Sequence, residues 1–289
     1  MEKTEDLETL IFGSGNEKGF LLIGSLLALQ NSKKISKVKK IIGISVGSII
    51  GTFVAIGMSF SEILNESLSF NIFEASISGI DQIIKNFSFE MNGRNGILDP
   101  SEIKRRIDAR LIMKYGKSLT FKELHLWTDI ELVIVITDRS NKNFPRAVYL
   151  SKSTTPNYSV SQAVLESCML PGIFNNTNFN RIDGVFADPF PYEQAMGQKT
   201  LAMLPIEDLS KSFSDSQSFF GIIVDIYHAL LVPIQIFLAR KIEEARNSFD
   251  EEKLEIVILK TDPRIPFSLK LDEKIKMIVQ GFFQTSKFI

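Results

Sequence analysis

The sequence predicts an α/β fold with a mostly parallel central sheet, and three observations carry that prediction. Residues 7–12 read as a short strand that runs into the glycine loop Gly13-Ser14-Gly15-Asn16-Glu17-Lys18-Gly19 and then into an apolar helix over 20–30. Ile41-Ile42 repeats the pattern, entering Gly43-Ile44-Ser45-Val46-Gly47 and a further uncharged stretch to Phe60. Strands that hand over to helices in succession pair in parallel, and reactive groups then collect at the carboxyl ends of the strands. Residues 131–137, ELVIVIT, form a nearly continuous β-branched run of the kind buried on both faces at the centre of such a sheet.

Composition sets outer bounds on function. With 289 residues, 44% of them hydrophobic, and a formal net charge of −1, the chain has ample material for a large core and no polyanion-binding signature. No nucleic-acid partner is expected. Lys33, Lys34, Lys37, Lys39 and Lys40 make the only basic cluster and read as a solvated helix end and loop. Cys168 is the single cysteine, so no internal disulfide forms, and its apolar neighbours predict a buried thiol. Residues 1–10 are acidic and lack the basic-then-apolar order of a secretory signal, so an intracellular location is expected, in the cytoplasm or peripherally on a membrane. No Cys/His cluster has metal-ligand spacing, and neither metal nor cofactor is expected.

Each segment has a physical reading. The first glycine loop presents backbone N–H groups to an anion, either a phosphate or a reaction oxyanion. It is not a dinucleotide loop, because Gly13 and Gly15 are followed by Gly19, one residue too late, and it is not a P-loop, because Lys18 precedes the last glycine. Residues 43–47 fit a G-x-S-x-G elbow, in which a strand makes a strained turn carrying Ser45 and enters a helix at once, with Gly43 and Gly47 where a Cβ would collide. The same uncharged run over 41–60 is long enough for a bilayer, and Gly43, Gly47 and Gly51 have the small-residue spacing of packed membrane helices, so a membrane span and a plain buried helix are competing readings.

Residues 61–127 read as mainly helical, with a helix opened by Asp99-Pro100-Ser101-Glu102 that places Ile103, Ile107 and Leu111 on one face, a turn-rich break at 92–96, and another helix opening at Thr120. A helix is expected over 160–171, a strand over 200–204 and a last strand over 254–259. A terminal helix from Asp272 carries Ile275, Ile278, Val279 and Phe282 on one side. Residues 219–239 are apolar but hold Asp225, His228 and Pro233, which argues for burial or an interfacial helix over a membrane span.

The ordered appearance of the glycine loop, the Ser45 elbow and the later Asp183-Gly184 pair resembles the patatin-like phospholipases. Gly19-Phe20 with the helix after it, Thr137-Asp138, and Ser167-Cys168-Met169-Leu170-Pro171 also match positions in that family. The resemblance implies a three-layer α/β/α fold of one domain over 1–289, with a helical cap at about 61–127 and a C-terminal helical and strand region at about 213–289. It implies that Ser45 is a nucleophile and Asp183 its general base in a Ser-Asp dyad. Gly15, Asn16 and Ser14 would form the oxyanion hole, with Gly13, Lys18, Gly19, Gly43, Gly47 and Gly184 completing the motifs. The implied activity is lipid acyl hydrolysis on a phospholipid or other acyl-lipid at a peripheral membrane surface, without metal; a catalytically silent lipid-binding protein is the alternative. Ser14 and Asn16 stand where the family has glycine, and Val185 departs from its Asp-Gly-Gly/Ala pattern. Asp138 on its own reads as a turn former after a strand. Membrane contact is expected at Phe213, Phe219, Phe220, Ile222 and Ile223.

Overall fold

The computed structural model describes residues 6–69, 96–141, 143–175, 178, 180–207, 219–249, 253–261 and 269–289. Strand β1 (Thr9–Phe12) lies between β2 (Lys40–Ile44) and β8 (Thr200–Glu207), parallel to both. The parallel run extends outward to β4 (Glu131–Asp138) beside β2 and to β9 (Leu254–Thr261) beside β8. Two short strands, β5 (Arg146–Leu150) and β7 (Arg181–Asp183), pair antiparallel with β4. A separate parallel pair joins β3 (Gly96–Leu98) to β6 (Gly172–Phe174).

Alternation along these strands sends side chains to two cores, one on each face. Leu10, Phe12, Ile41, Ile134, Leu201 and Met203 enter the first, which is covered by α1 (Gly19–Ser32), α2 (Val46–Ala55), α4 (Ser101–Tyr115), α6 (Val160–Ser167) and α8 (Leu271–Thr285). Ile11, Ile42, Val133, Val135, Ala202 and Leu204 enter the second, closed by Leu238, Ile242 and Ala245 of α7 (Phe219–Ser248). Helices on both faces of a mostly parallel sheet make the three-layer α/β/α fold.

The uncharged run 41–60 is neither a membrane helix nor one buried helix: its first residues complete β2, and a helix restarts at Val46. Among the described residues no helix is long and apolar enough to cross a membrane. In the expected cap, α3 (Phe60–Ser69), α4 and α5 (Phe121–Thr128) are helical, and Ile103, Ile107 and Leu111 are buried as their spacing predicts. Thr120 caps α5 by a reciprocal pair of hydrogen bonds with Glu123. Residues 70–95, with most of the 92–96 turn, lie outside the described residues, as do Phe213 and the side chains of Phe219, Phe220, Ile222 and Ile223.

Two helices differ from expectation. α6 stops at Ser167 and does not reach Pro171, because the residue before a proline is pushed out of helical conformation and the chain turns beforehand. In α8 the buried arc is Lys274, Met277, Ile278, Gly281 and Thr285, while Ile275 and Val279 are exposed. The cause is a close backbone crossing with α1: a Cβ on Gly24 would stand 2.7 Å from the Phe282 nitrogen, and one on Gly281 would stand 2.8 Å from the Leu21 carbonyl carbon. The lysines before β2 are solvated ion-pairing groups, Lys37 with Asp6 at 2.5 Å and Lys39 with Asp129 at 2.5 Å.

Candidate active site

The register of β4 brings Ser45 and Asp183 together. β2 runs along one edge of β4 until Ile44 stands opposite Val135, and β7 pairs with the next β4 residue, Ile136 opposite Asp183. The residue that follows β2, Ser45, and the last residue of β7, Asp183, therefore meet across one step of the same strand. They are 138 positions apart in sequence (183 − 45).

Ser45 occupies φ 55, ψ −128, a conformation that costs a non-glycine residue on the order of 1–3 kcal/mol and persists only where its surroundings impose it. Its neighbours do so. A Cβ on Gly43 would lie 2.5 Å from the Ser48 Cα, and one on Gly47 would lie 2.6 Å from the Gly13 carbonyl oxygen, so only glycine passes at either place. The Ser45 N–H donates to Ser167 Oγ at 2.9 Å, and the Ser167 hydroxyl donates to the Val135 carbonyl at 2.7 Å. The Ser48 hydroxyl donates to the Ser45 carbonyl at 2.6 Å. The turn is thus tied to α6, to β4 and to its own helix, with Ser45 at the positive end of α2.

Asp183 is 1% exposed. Its N–H donates to the Met169 carbonyl at 3.0 Å, its carbonyl accepts the Thr137 hydroxyl at 2.8 Å, and its Oδ1 accepts the Val185 N–H at 3.0 Å. Oδ2 is buried and has no hydrogen-bond partner among the described residues. Burial pushes the carboxyl up to about 7, and the neighbouring Ser45 hydroxyl and the Val185 N–H pull partly the other way. A carboxyl held near neutrality with one oxygen uncommitted beside a serine hydroxyl is able to accept a proton from it.

The first glycine loop reaches the same place through Asn16. Gly13 donates its N–H to the Met203 carbonyl at 2.9 Å, which fastens the loop to β8. Asn16 takes the left-handed conformation, φ 48; Ser14 does not. Of the two departures from glycine, the one at a left-handed position is thus the asparagine, which tolerates it better than most residues. Lys18 fixes the far side through a buried ion pair with Glu207, 3.1 Å long. Asn16, Glu17 and Gly19 line the cavity above Ser45, whereas Ser14 and Gly15 do not reach its wall.

That cavity has a volume of about 110 Å³. Val46, Ile49, Ile50 and Phe53 of α2 and Phe20 and Ile23 of α1 line it, and Ile103, Phe174 and Leu269 continue the apolar wall. Cys168 also faces it, with a thiol that burial pushes well above its ordinary range and so keeps protonated. An apolar cavity lined by a serine that stands at a helix N-terminus beside a near-neutral carboxyl suits an acyl group whose carbonyl develops negative charge.

Other titratable side chains are engaged elsewhere. Asp138 is a turn residue that accepts from Ser140 at 2.8 Å and pairs with Arg146 at 3.3 Å. Asp188 is buried against the Tyr149 hydroxyl at 2.7 Å and Lys241 at 3.4 Å. His125 is held by the Ile130 carbonyl and Lys152, at the end of α5. Among the described residues no group of three or more His, Cys, Asp or Glu side chains is placed to hold a metal ion. Sequence reasoning missed two residues: Ser167, which clamps Ser45 from 122 positions away, and Lys274, which lines the cavity. Lys274 had a legible signal, since it shares the i, i+3, i+4 row of buried α8 residues.

Comparison with known proteins identifies the family. A probable lipid hydrolase of Invertebrate iridescent virus 6, 463L, is 27% identical over 199 residues, 67% of this chain and 65% of its own. Triacylglycerol lipase 5 of Saccharomyces cerevisiae is 28% identical over 177 residues, 58% of this chain and 22% of its own. The chain thus spans less than two thirds of these relatives. Among solved structures, VipD from Legionella pneumophila superposes with a TM-score of 0.66 at 14% identity, over 98% of this chain and 66% of that one, a likeness of fold. The family model for patatin-like phospholipases matches residues 10–196, a span that holds the glycine loop, the Ser45 elbow and the Asp183-Gly184 turn, and the chain belongs to that family.

Proposed function

We propose that the chain is a serine lipid acyl hydrolase of phospholipase A type that works through a Ser45–Asp183 dyad. The observation that carries this reading is the pair itself: a strained serine at a helix N-terminus beside a buried carboxyl with an uncommitted oxygen and a pKa raised to about 7. In the first half-reaction Asp183 takes the Ser45 proton as Oγ attacks the ester carbonyl. The tetrahedral intermediate then expels the alcohol, which leaves with that proton, and an acyl-Ser45 ester remains. In the second, Asp183 takes a proton from water, hydroxide adds to the acyl carbon, and Ser45 leaves with the proton restored. The oxyanion is held in this reading by the backbone N–H of Asn16 and by the amino end of α2, with Gly15 and Ser14 shaping the loop behind Asn16. Asn16 lining the cavity above Ser45 supports that placement.

The substrate class follows from the cavity wall, whose aliphatic and aromatic side chains match an acyl chain. The names borne by the viral and yeast relatives point the same way. Because such substrates sit in bilayers, the protein works peripherally at a lipid surface. A fluorophosphonate probe tests the reading: labelling is expected at Ser45 alone, and mass spectrometry locates it. Folded protein that resists the probe, or labelling at another serine, overturns the dyad and leaves a lipid-binding protein.

A further inference from the structure

Three lysines are buried among the described residues, Lys18 at 9%, Lys241 at 7% and Lys274 at 8% exposure. Two are conventionally compensated. Lys18 meets Glu207 at 3.1 Å, and Lys241 meets Glu193 at 2.5 Å and Asp188 at 3.4 Å. Lys274 makes no ion pair among the described residues; its Nζ stands 5.7 Å from the centre of the Phe20 ring, at the outer limit of a cation–π contact. A buried cation is ordinarily kept only with a counter-charge, and removing one partner of such a pair is strongly destabilising.

Its position sharpens the anomaly. Lys274 sits in the first turn of α8, a 15-residue helix, where the exposed N–H dipoles add positive potential; of the acidic residues in that turn Glu273 accepts from the Lys270 N–H, and neither it nor Asp272 makes an ion pair with Lys274 among the described residues. Its side chain lines the same cavity as Ser45, in a wall that is otherwise mostly aliphatic and aromatic. Asn16 and Glu17, polar neighbours in that lining, already have partners of their own. A cation that the fold leaves without a partner inside the cavity, beside the candidate nucleophile, is arranged for an anion that arrives with the substrate.

We infer that Lys274 is a specificity-determining residue that binds the phosphate of a glycerophospholipid whose acyl ester is presented to Ser45. The inference rests on the lipid-hydrolase reading and narrows it. A triacylglycerol fills the apolar wall equally well but leaves the ammonium uncompensated, whereas a phosphodiester supplies a charge-assisted hydrogen bond in a low-dielectric site.

The test uses two short-chain substrates that are soluble as monomers, dihexanoylphosphatidylcholine and dihexanoylglycerol, with p-nitrophenyl butyrate as a probe of the dyad alone. In Lys274→Met the ratio of kcat/KM for the phospholipid over the diglyceride is expected to fall by about 10- to 100-fold, the scale of one hydrogen bond to a charged group. Lys274→Arg should retain most of that ratio. The melting temperature of Lys274→Met should equal or exceed that of the parent chain, since a buried unpaired charge is removed. An unchanged ratio, or a lower melting temperature with equal loss on both lipids, overturns the inference.

If the parent chain hydrolyses none of the three esters, the hydrolase reading falls, and the anion site is then judged by calorimetry on the Ser45→Ala protein. Hexadecylphosphocholine should bind at least about tenfold more weakly after Lys274→Met, while hexadecyl maltoside should show a much smaller change. Equal changes for both, tighter binding of palmitate, or displacement by inorganic phosphate alone would assign the lysine to packing, to a fatty-acid carboxylate or to a free-phosphate site, and each of these overturns it.

Discussion

The elbow and the first glycine loop are two glycine turns side by side, and an added side chain would meet very different surroundings in each. At the elbow an added Cβ would strike main chain, 2.5 Å from Ser48 Cα at Gly43 and 2.6 Å from the Gly13 oxygen at Gly47. At the loop the same atom on Gly15 would meet the side chains of Pro205 at 3.0 Å and Lys18 at 3.1 Å, tight but yielding. The loop is where the sequence departs from its family, with Ser14 and Asn16 in place of glycine, and the elbow is where it does not.

The largest expected effect breaks the rigid half of this comparison. Gly47→Ala should cost about 3 kcal/mol or more, because the main chain at the end of β1 and at Gly13 cannot shift to admit one methyl group, and it should abolish fluorophosphonate labelling. Gly15→Ala should cost about 1 kcal/mol or less and keep labelling. Thermal melts of the two proteins check the contrast, and equal losses would show that the loop is as closely constrained as the elbow.

Asp183 comes next, and it sets function against stability. Asp183→Asn should lower ester turnover by at least about a hundredfold, the usual scale for a positioned base, while keeping the Val185 N–H contact through its amide oxygen. In the parent chain kcat/KM should rise with pH and level off above about 7, where the carboxyl is ionised. The stability sign is opposite. The folded-state value lies above the ordinary 3.8, so between about 4 and 7 the folded state holds a proton that the unfolded state has lost, and stability falls as pH rises through that window. Asp183→Asn removes the penalty, and its melting temperature should exceed the parent's by a few degrees at pH 8 and match it at about pH 4. A variant less stable than the parent at pH 8 would show that the carboxylate is compensated in the fold.

How much of this was legible in the sequence depended on the range of the forces involved. Local chemistry was readable: the glycines around Ser45, the β-branched run of β4, and the helix start at Thr120 act within a few residues of themselves. The pairing of Ser45 with Asp183 followed from motif order and not from any residue's own signal, since it depends on the register by which β2 and β7 share one edge of β4. Ser167 was invisible as a clamp because nothing in a serine at a helix end says which N–H, 122 positions away, it will accept. The exposure of Ile275 and Val279 was misleading for a related reason: the close crossing of Gly24 and Gly281 rotates α8, so the apolar row read from the sequence is only partly the buried one.

The smallest expected effects lie within the loop and separate its two departures from glycine. Asn16 holds φ 48, and a left-handed residue other than glycine carries on the order of 1 kcal/mol of strain, so Asn16→Gly relieves strain while adding freedom to the unfolded chain; the two nearly cancel. Asn16→Val cannot relax in this way, because a branched Cβ is excluded from that conformation, and it should lose labelling. Ser14 has no positive φ to relieve, so Ser14→Gly gains nothing in the folded state. It should lower the melting temperature by roughly 1–3 °C through unfolded-state entropy and leave turnover within about threefold. A tenfold or larger rise in turnover on Ser14→Gly would mean that the serine distorts the donors above Ser45 despite its ordinary backbone, and the loop would then be constrained by its hydrogen bonds and not by its dihedral angles.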